Sequence, residues 1–231
     1  DYMLGIFVQK YADRTVPTPS GWQLLGAASG GAGTDGTIDE GQVKVWVYGR
    51  EKDGSEGATL SVTDSGGTAS CFAGRIFSFT KSVGDVWSVV GNAVASDNTA
   101  GTSLDFAYDT NPGLQPGDIA VTVWVANSDA YTHTHAFSAP GVSAVTTASR
   151  GNTAVTAGAN LRYGLVTHSI DTGTASGAAT YTNTASGSAT NAPAGASVLV
   201  RLRAVAAGTY VLPDGNTLGG GFQSLNGGMQ Q

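Results

Sequence analysis

The chain has 231 residues, 41% of them hydrophobic, which is enough for a sizeable core, and all-β folds of this length often form one domain. Only 12% of residues are charged and the net charge is −6. Its eleven Lys and Arg are scattered along the sequence, which argues against a nucleic-acid surface, since phosphate binding needs clustered cations. No run of 18 apolar residues is present, so no membrane-spanning helix is expected.

Glycine contributes 34 residues, and Thr, Val, Ala and Ser dominate the remainder. β-Branched side chains suit a pleated surface, while Gly suits turns and close backbone contacts. Alternation and β-branched runs place strands at Tyr2–Gln9, Gln42–Arg50, Ala58–Thr63, Phe72–Thr80 and Val86–Ala95. Further strands follow at Ser103–Tyr108, Ile119–Ala126, Val142–Ala148, Leu161–Ser169, Ala178–Asn183 and Ala196–Ala204. Turn chemistry separates them at Pro19-Ser20-Gly21, Asp53-Gly54, Asn111-Pro112-Gly113, Pro116-Gly117-Asp118 and Pro140-Gly141. The fold class expected is all-β: a β-sandwich or jelly roll of about ten to eleven strands with an internally duplicated strand unit.

The duplication rests on landmarks in the same order. Asp1-Tyr-Met-Leu-Gly-Ile-Phe-Val8 matches Asp118-Ile-Ala-Val-Thr-Val-Trp-Val125 in pattern. Pro19-Ser20-Gly21 lines up with Ala139-Pro140-Gly141, and Gly57–Thr63 lines up with Gly177–Asn183. Arg75-Ile-Phe-Ser-Phe79 resembles Val200-Arg-Leu-Arg203. Each unit alone has too few strands to cover a core, so residues 1–205 are expected to form one sandwich domain with pseudo-repeats at about 1–80 and 118–204. The second unit opens on a Pro-Gly turn, and a similar turn is expected upstream of Asp1. Residues 206–231 are expected to be a Gly-rich tail, or an arm that orders against a neighbouring subunit through Tyr210, Val211, Leu212, Phe222 and Leu225.

Candidate chemistry is sparse. His133-Thr134-His135 puts two imidazoles on one face of a strand, with Asp129 or the distant His168 as a third metal ligand; the competing reading is a polar loop. Asp35, Asp39, Glu40, Asp109, Asp118, Asp129 and Asp171 sit in turns without the regular spacing of a calcium loop. Cys71 is a lone thiol that precludes an internal disulfide and reads as a small buried hydrophobe. Trp22, Trp46, Trp87 and Trp124 read as core aromatics, with a sugar-stacking platform as the alternative. Within Val43-Lys-Val-Trp-Val-Tyr48, the valines share one face, and Lys44, Trp46 and Tyr48 share the other. No catalytic residue, cofactor site or metal site is assigned, and an enzyme is not expected.

The succession Pro-Ser-Gly-Trp-Gln-Leu-Leu-Gly at 19–26, Val-Lys-Val-Trp-Val-Tyr-Gly-Arg at 43–50, Lys-Asp-Gly-Ser-Glu-Gly-Ala-Thr-Leu-Ser-Val-Thr at 52–63 and Ala-Gly-Arg-Ile-Phe-Ser-Phe at 73–79 resembles the β-sandwich modules of tailed-bacteriophage structural proteins. These are minor tail, fibre or head-decoration proteins, and the resemblance is strongest over residues 1–80. It implies a virion protein on the particle surface that works by self-assembly and display. It also implies capsid or tail proteins and copies of itself as partners, and neither nucleic acid nor membrane insertion. Loops Gly26–Gly41 and His133–Pro140 would face outward. The alternative is a carbohydrate-binding module that reads a host-surface glycan, alone or as the receptor-reading part of a fibre.

Overall fold

The computed structural model describes residues 1–10, 14–56, 59–62, 71–156, 158–186, 193–207, 210–211 and 217–218. Among them there is no helix. Twelve strands form three antiparallel sheets: β1 (Tyr2–Lys10), β2 (Gln23–Ala32), β3 (Gly41–Glu51), β4 (Cys71–Phe79), β5 (Asp85–Asp97), β6 (Ser103–Ala107), β7 (Ile119–Ala126), β8 (Thr132–Ser138), β9 (Val142–Val155), β10 (Leu161–Gly173), β11 (Thr180–Ser186) and β12 (Gly195–Ala206). A two-residue pair, β13 (Tyr210–Val211) with β14 (Thr217–Leu218), makes a separate ladder.

The front sheet has strand order β2-β3-β1-β4, the middle sheet β5-β12-β7-β10-β9 and the back sheet β6-β11-β8. Period-2 alternation explains the stacking. On β1, Leu4, Ile6 and Val8 point inward, meeting Val43, Val45 and Val47 of β3 in the core between front and middle sheets. From the other side come Val121, Val123 and Val125 of β7 and Val198, Val200 and Leu202 of β12. The opposite face of β7 offers Ala120, Trp124 and Ala126 to a second core, shared with Leu104, Phe106 and Tyr181 of the back sheet. Both faces of β7 and β12 are therefore buried, and these two strands read as near-continuous buried runs. Each fully buried Val or Leu contributes about 1.5–3 kcal/mol.

A third cluster lies on the outer side of the front sheet, where Phe7, Trp46, Tyr48 and Val16 are covered by Leu60 and Val62. The outer side of the back sheet is different. Thr132, Thr134 and Ser138 of β8 and Thr180, Thr184 and Ser186 of β11 are exposed there.

Three expectations are corrected. Strand β2 runs through Gln-Leu-Leu-Gly-Ala-Ala-Ser-Gly-Gly-Ala, so the first part of Gly26–Gly41 is a sheet strand and not an outward loop. Its glycines are required by close approach. A Cβ on Gly30 would lie 2.0 Å from Gly195 O, and one on Gly91 of β5 would lie 2.1 Å from Leu25 O. Likewise His133–Ser138 belongs to β8, whose alternation turns His133, His135 and Phe137 inward. Conversely, the described part of Ala58–Thr63, residues 59–62, forms no strand ladder and packs as cover.

The front and middle sheets share a strand order. Reading β2-β3-β1-β4 beside β9-β10-β7-β12 gives the same order in space, although in the second set β8 and β11 of the back sheet intervene in the chain. The turns entering β2 and β9 are also alike. Trp22 N donates to Pro19 O at 3.0 Å and Val142 N to Ala139 O at 3.0 Å. Gly21 and Gly141 hold φ of 78° and 86°, as the third position of such a turn demands.

Candidate functional site

All three histidines of the chain meet between the middle and back sheets. The β8 ladder places His133 and His135 against Trp124 of β7, with ring centroids 4.6 and 5.9 Å away. His168 of β10 stacks on Phe137 at 4.4 Å and meets the edge of Tyr181 at 5.8 Å. Each ring has polar partners. His168 Nε2 pairs with Thr122 Oγ1 at 3.1 Å, and Nδ1 with Thr147 Oγ1 at 3.0 Å. His135 Nδ1 pairs with the Tyr181 hydroxyl at 2.7 Å. His133 Nδ1 donates to Asn183 Oδ1 at 2.8 Å, and its Nε2 is buried without a hydrogen-bond partner.

Burial drives these imidazoles toward the neutral form. It pushes His133 down to about 4 and His168 down to about 3, and it lowers His135 as well. The adjacent charges reinforce this, since Arg162 and His135 both disfavour a proton on His133. Asp129, the other expected ligand, instead accepts from Asn160 Nδ2 at 3.1 Å. Among the described residues no group of three His, Cys, Asp or Glu side chains is placed to hold a metal ion.

The remaining sequence candidates are dispersed. Asp35 accepts from Gln42 N at 2.6 Å, Glu40 from Thr34 N at 3.0 Å, Asp109 from Val94 N at 3.0 Å and Asp171 from Thr146 Oγ1 at 2.8 Å. Asp39 takes a φ of 61° in the same loop. Cys71 is buried at the end of β4, and burial raises its thiol pKa. Trp46 and Trp124 are buried, and Trp22 and Trp87 are half-buried.

Two buried polar clusters were not foreseen in the sequence, where Asp118, a member of the second, was read as a turn acid. Lys10 continues the inward row Leu4, Ile6, Val8, and its ammonium donates to Asn127 O and, at 2.7 Å, to Ala159 O. Burial lowers its pKa to about 8, against the pull of Asp39. Asn127 in turn donates to Ala32 O and Gly41 O, each at 3.1 Å, so this hub ties the ends of the front and middle sheets. At the other end, Arg203 and Asp118 form a buried ion pair at 2.5 Å. Arg201 beside it donates to Pro112 O at 3.0 Å and Gly113 O at 3.2 Å. Burial and the Arg203 charge lower the Arg201 pKa.

Strand β4 is one of the sheet edges, as are β2, β5, β6, β8 and β9. It pairs with β1 along its whole length, and no strand among the described residues takes its other side. Gly74, Arg75, Ile76 and Ser78 are exposed. A groove of about 450 Å³ runs along its inner side between Phe77, Phe79, Ile119, Arg150, Thr167 and Ser169. A second groove of about 450 Å³ on the outer side is lined by Phe7, Leu60, Val62, Phe72 and Ile76. The counterpart of β4 in the middle sheet, β12, carries β5 on the corresponding side over Gly195–Ala206.

No protein-family model matches the chain, no curated protein matches it, and no solved structure matches it.

Proposed function

We propose that this chain is a structural protein of a tailed-phage particle surface, a head-decoration, tail or fibre component, and that it works by assembling with copies of itself. The observation that carries the reading is the edge of β4, which no strand among the described residues pairs and which is flanked by two grooves lined by both aromatic and polar side chains. Exposed edges are templates for strand pairing, and stable monomers blunt or cover them. Here the edge presents Ile76 at 42% exposure. The low charge of the chain suits a crowded assembly. The histidines, the chemistry most able to act on a substrate, are instead packed as neutral core groups.

The shared strand order supports a second part of the reading. Residues about 1–80 and 118–204 are two copies of one unit, combined in a single domain of residues 1–205. The expected arm, 206–231, lies almost wholly outside the described residues.

The test is sedimentation velocity of the purified chain over a wide concentration range, with electron microscopy of particles that contain it. Concentration-dependent association and symmetric copies on a shell or tail are expected. A monomer at every concentration, with no affinity for shells or tails, overturns the reading.

A further inference from the structure

We propose that the gap between β4 and the middle-sheet edge strand β9 is a binding site for a carboxylate-bearing sugar, whose carboxylate pairs with Arg150 and whose ring lies against Phe79 and the hydroxyl of Ser169. The site goes beyond the self-assembly reading and does not depend on it, because it uses side chains that face the gap and not the backbone edge of β4.

Backbone geometry turns two arginines toward this gap. On β4 the inward row Cys71, Ala73, Phe77 and Phe79 packs against the core between front and middle sheets, and Arg75 holds the same parity. Its guanidinium lies 4.9 Å over the Phe77 ring, and its Nη1 is 3.3 Å from where a Cβ on Gly151 of β9 would stand. Arg150 arrives by a different route. Gly151 pairs with Leu165 and Ser149 with Val166, so Arg150 is the extra residue of a bulge in β9. A bulge re-aims the side chain it carries. Arg150 Nε donates to Thr167 Oγ1 at 3.0 Å, and Thr167 in turn donates to Ala148 O at 3.2 Å. The guanidinium is thereby held at one nitrogen, and among the described residues no hydrogen bond occupies its two Nη groups.

The face of β10 changes character at the same place. Leu161, Tyr163 and Leu165 are buried in the core, and the row then continues as Thr167 and Ser169, which line the gap. The gap holds about 450 Å³, within the roughly 300–1,000 Å³ of small-ligand sites.

Charge selects an acid. The chain has 17 acidic side chains against 11 basic ones, yet among the described residues neither Arg75 nor Arg150 has a carboxylate within ion-pair distance. The planar fork of a guanidinium matches a carboxylate in two parallel hydrogen bonds. The remaining lining selects among acids. A bare inorganic anion would engage Arg150 and leave Phe79, Ile119 and Ser169 without a role. An acidic peptide added to β4 would draw on its edge backbone groups, which point sideways in the plane of the sheet and not into the gap. A sugar acid uses the whole lining: its carboxylate meets the guanidinium, its hydroxyls donate and accept opposite Ser169, and its C–H face covers an aromatic ring.

Calorimetric titration of the full chain tests this, with trigalacturonate and sialyllactose as acidic sugars, lactose as a neutral one, and acetate and hexaglutamate as anions that are not sugars. At least one acidic sugar should saturate, with lactose, acetate and hexaglutamate about tenfold weaker or more. Arg150→Gln should weaken that sugar about tenfold or more, and Ser169→Tyr, which fills the gap from an exposed position, should do the same. Arg50→Gln, outside the gap, should leave it unchanged. Failure of both acidic sugars to saturate overturns the inference. Equal binding of lactose, acetate or hexaglutamate overturns it too, since the gap is then a neutral-sugar, simple-anion or peptide site. Sugar affinity that survives Arg150→Gln or Ser169→Tyr, or that falls equally in Arg50→Gln, also overturns it. Sedimentation of the sugar-free wild type decides self-assembly by itself, so either reading can fail alone.

Discussion

Acidification should release the back sheet before the rest of the molecule. An unfolded histidine binds its proton near 6.5, whereas His133 and His168 do so only near 4 and 3 in the folded chain. Between those values unfolding takes up protons, so stability is complete above about 6.5 and falls as pH drops. From about pH 7.5 to about pH 5, each of these two histidines removes about 2 kcal/mol, and His135 acts in the same direction. A loss of about 4 kcal/mol is a large share of the roughly 5–15 kcal/mol that holds a domain together. The described groups facing the cluster supply no anion: they are Thr122 and Trp124 from β7, Thr147 from β9, Tyr181 and Asn183 from β11 and Arg162 from β10, and burial outweighs the Asn183 hydrogen bond, which favours protonated His133. Protonated His133 would also bury an Nε2 proton with no acceptor. Urea titrations followed by tryptophan fluorescence across this range should show the midpoint falling with pH. Hydrogen exchange should show β6, β8 and β11 opening first. His168→Gln should flatten the pH slope by about 1.4 kcal/mol per unit. A midpoint that is constant or rises toward pH 5 would refute the reasoning, as would an unchanged slope in His168→Gln.

Asp118→Asn leaves the Arg203 and Arg201 guanidiniums buried without their carboxylate, and should cost about 3–5 kcal/mol in chemical denaturation. Adding Arg203→Met to that variant should recover part of the loss. Gly91→Ala drives a Cβ into Leu25 O where β5 meets β2, and should cost about 1–3 kcal/mol, read as a lower thermal midpoint. Lys10→Met keeps the stem but strips the donor from Asn127 O and Ala159 O, and should cost about 1–3 kcal/mol in the same assay.

Strands with one consistent face were legible in the sequence. Val43, Val45 and Val47 face the core and Trp46 and Tyr48 the opposite side, as their alternation requires. β2 was hidden because its positions are Gly and Ala. They are small because neighbouring backbone lies within 2–3 Å of where a larger side chain would start, a tertiary demand that mimics loop composition. β8 was hidden because its inward residues are two histidines and a phenylalanine separated by Thr and Ala, which reads as polar until Trp124 and Tyr181 are seen to cover them. Lys10 was visible in principle, since period two continues the row Leu4, Ile6, Val8 to it. Its partners, Asn127 and Ala159, are distant in sequence and no local pattern announces them. The edge of β4 was also beyond a local reading, because a strand's neighbours are fixed by topology.

The back sheet has a consequence on its other side. While His133 and His135 face the core, Thr132, Thr134, Thr180, Thr184 and Ser186 stand outward in rows, with Asp105 on β6 beside them. Threonine on a strand has a χ1 already restricted by its branched Cβ, so it surrenders little freedom when something settles on it. Each hydroxyl offers one donor and two acceptors. The panel that keeps the imidazoles dry thus presents an orderly hydroxyl lattice to water, and any acid-driven lifting of that panel would remove the lattice from the surface in the same step.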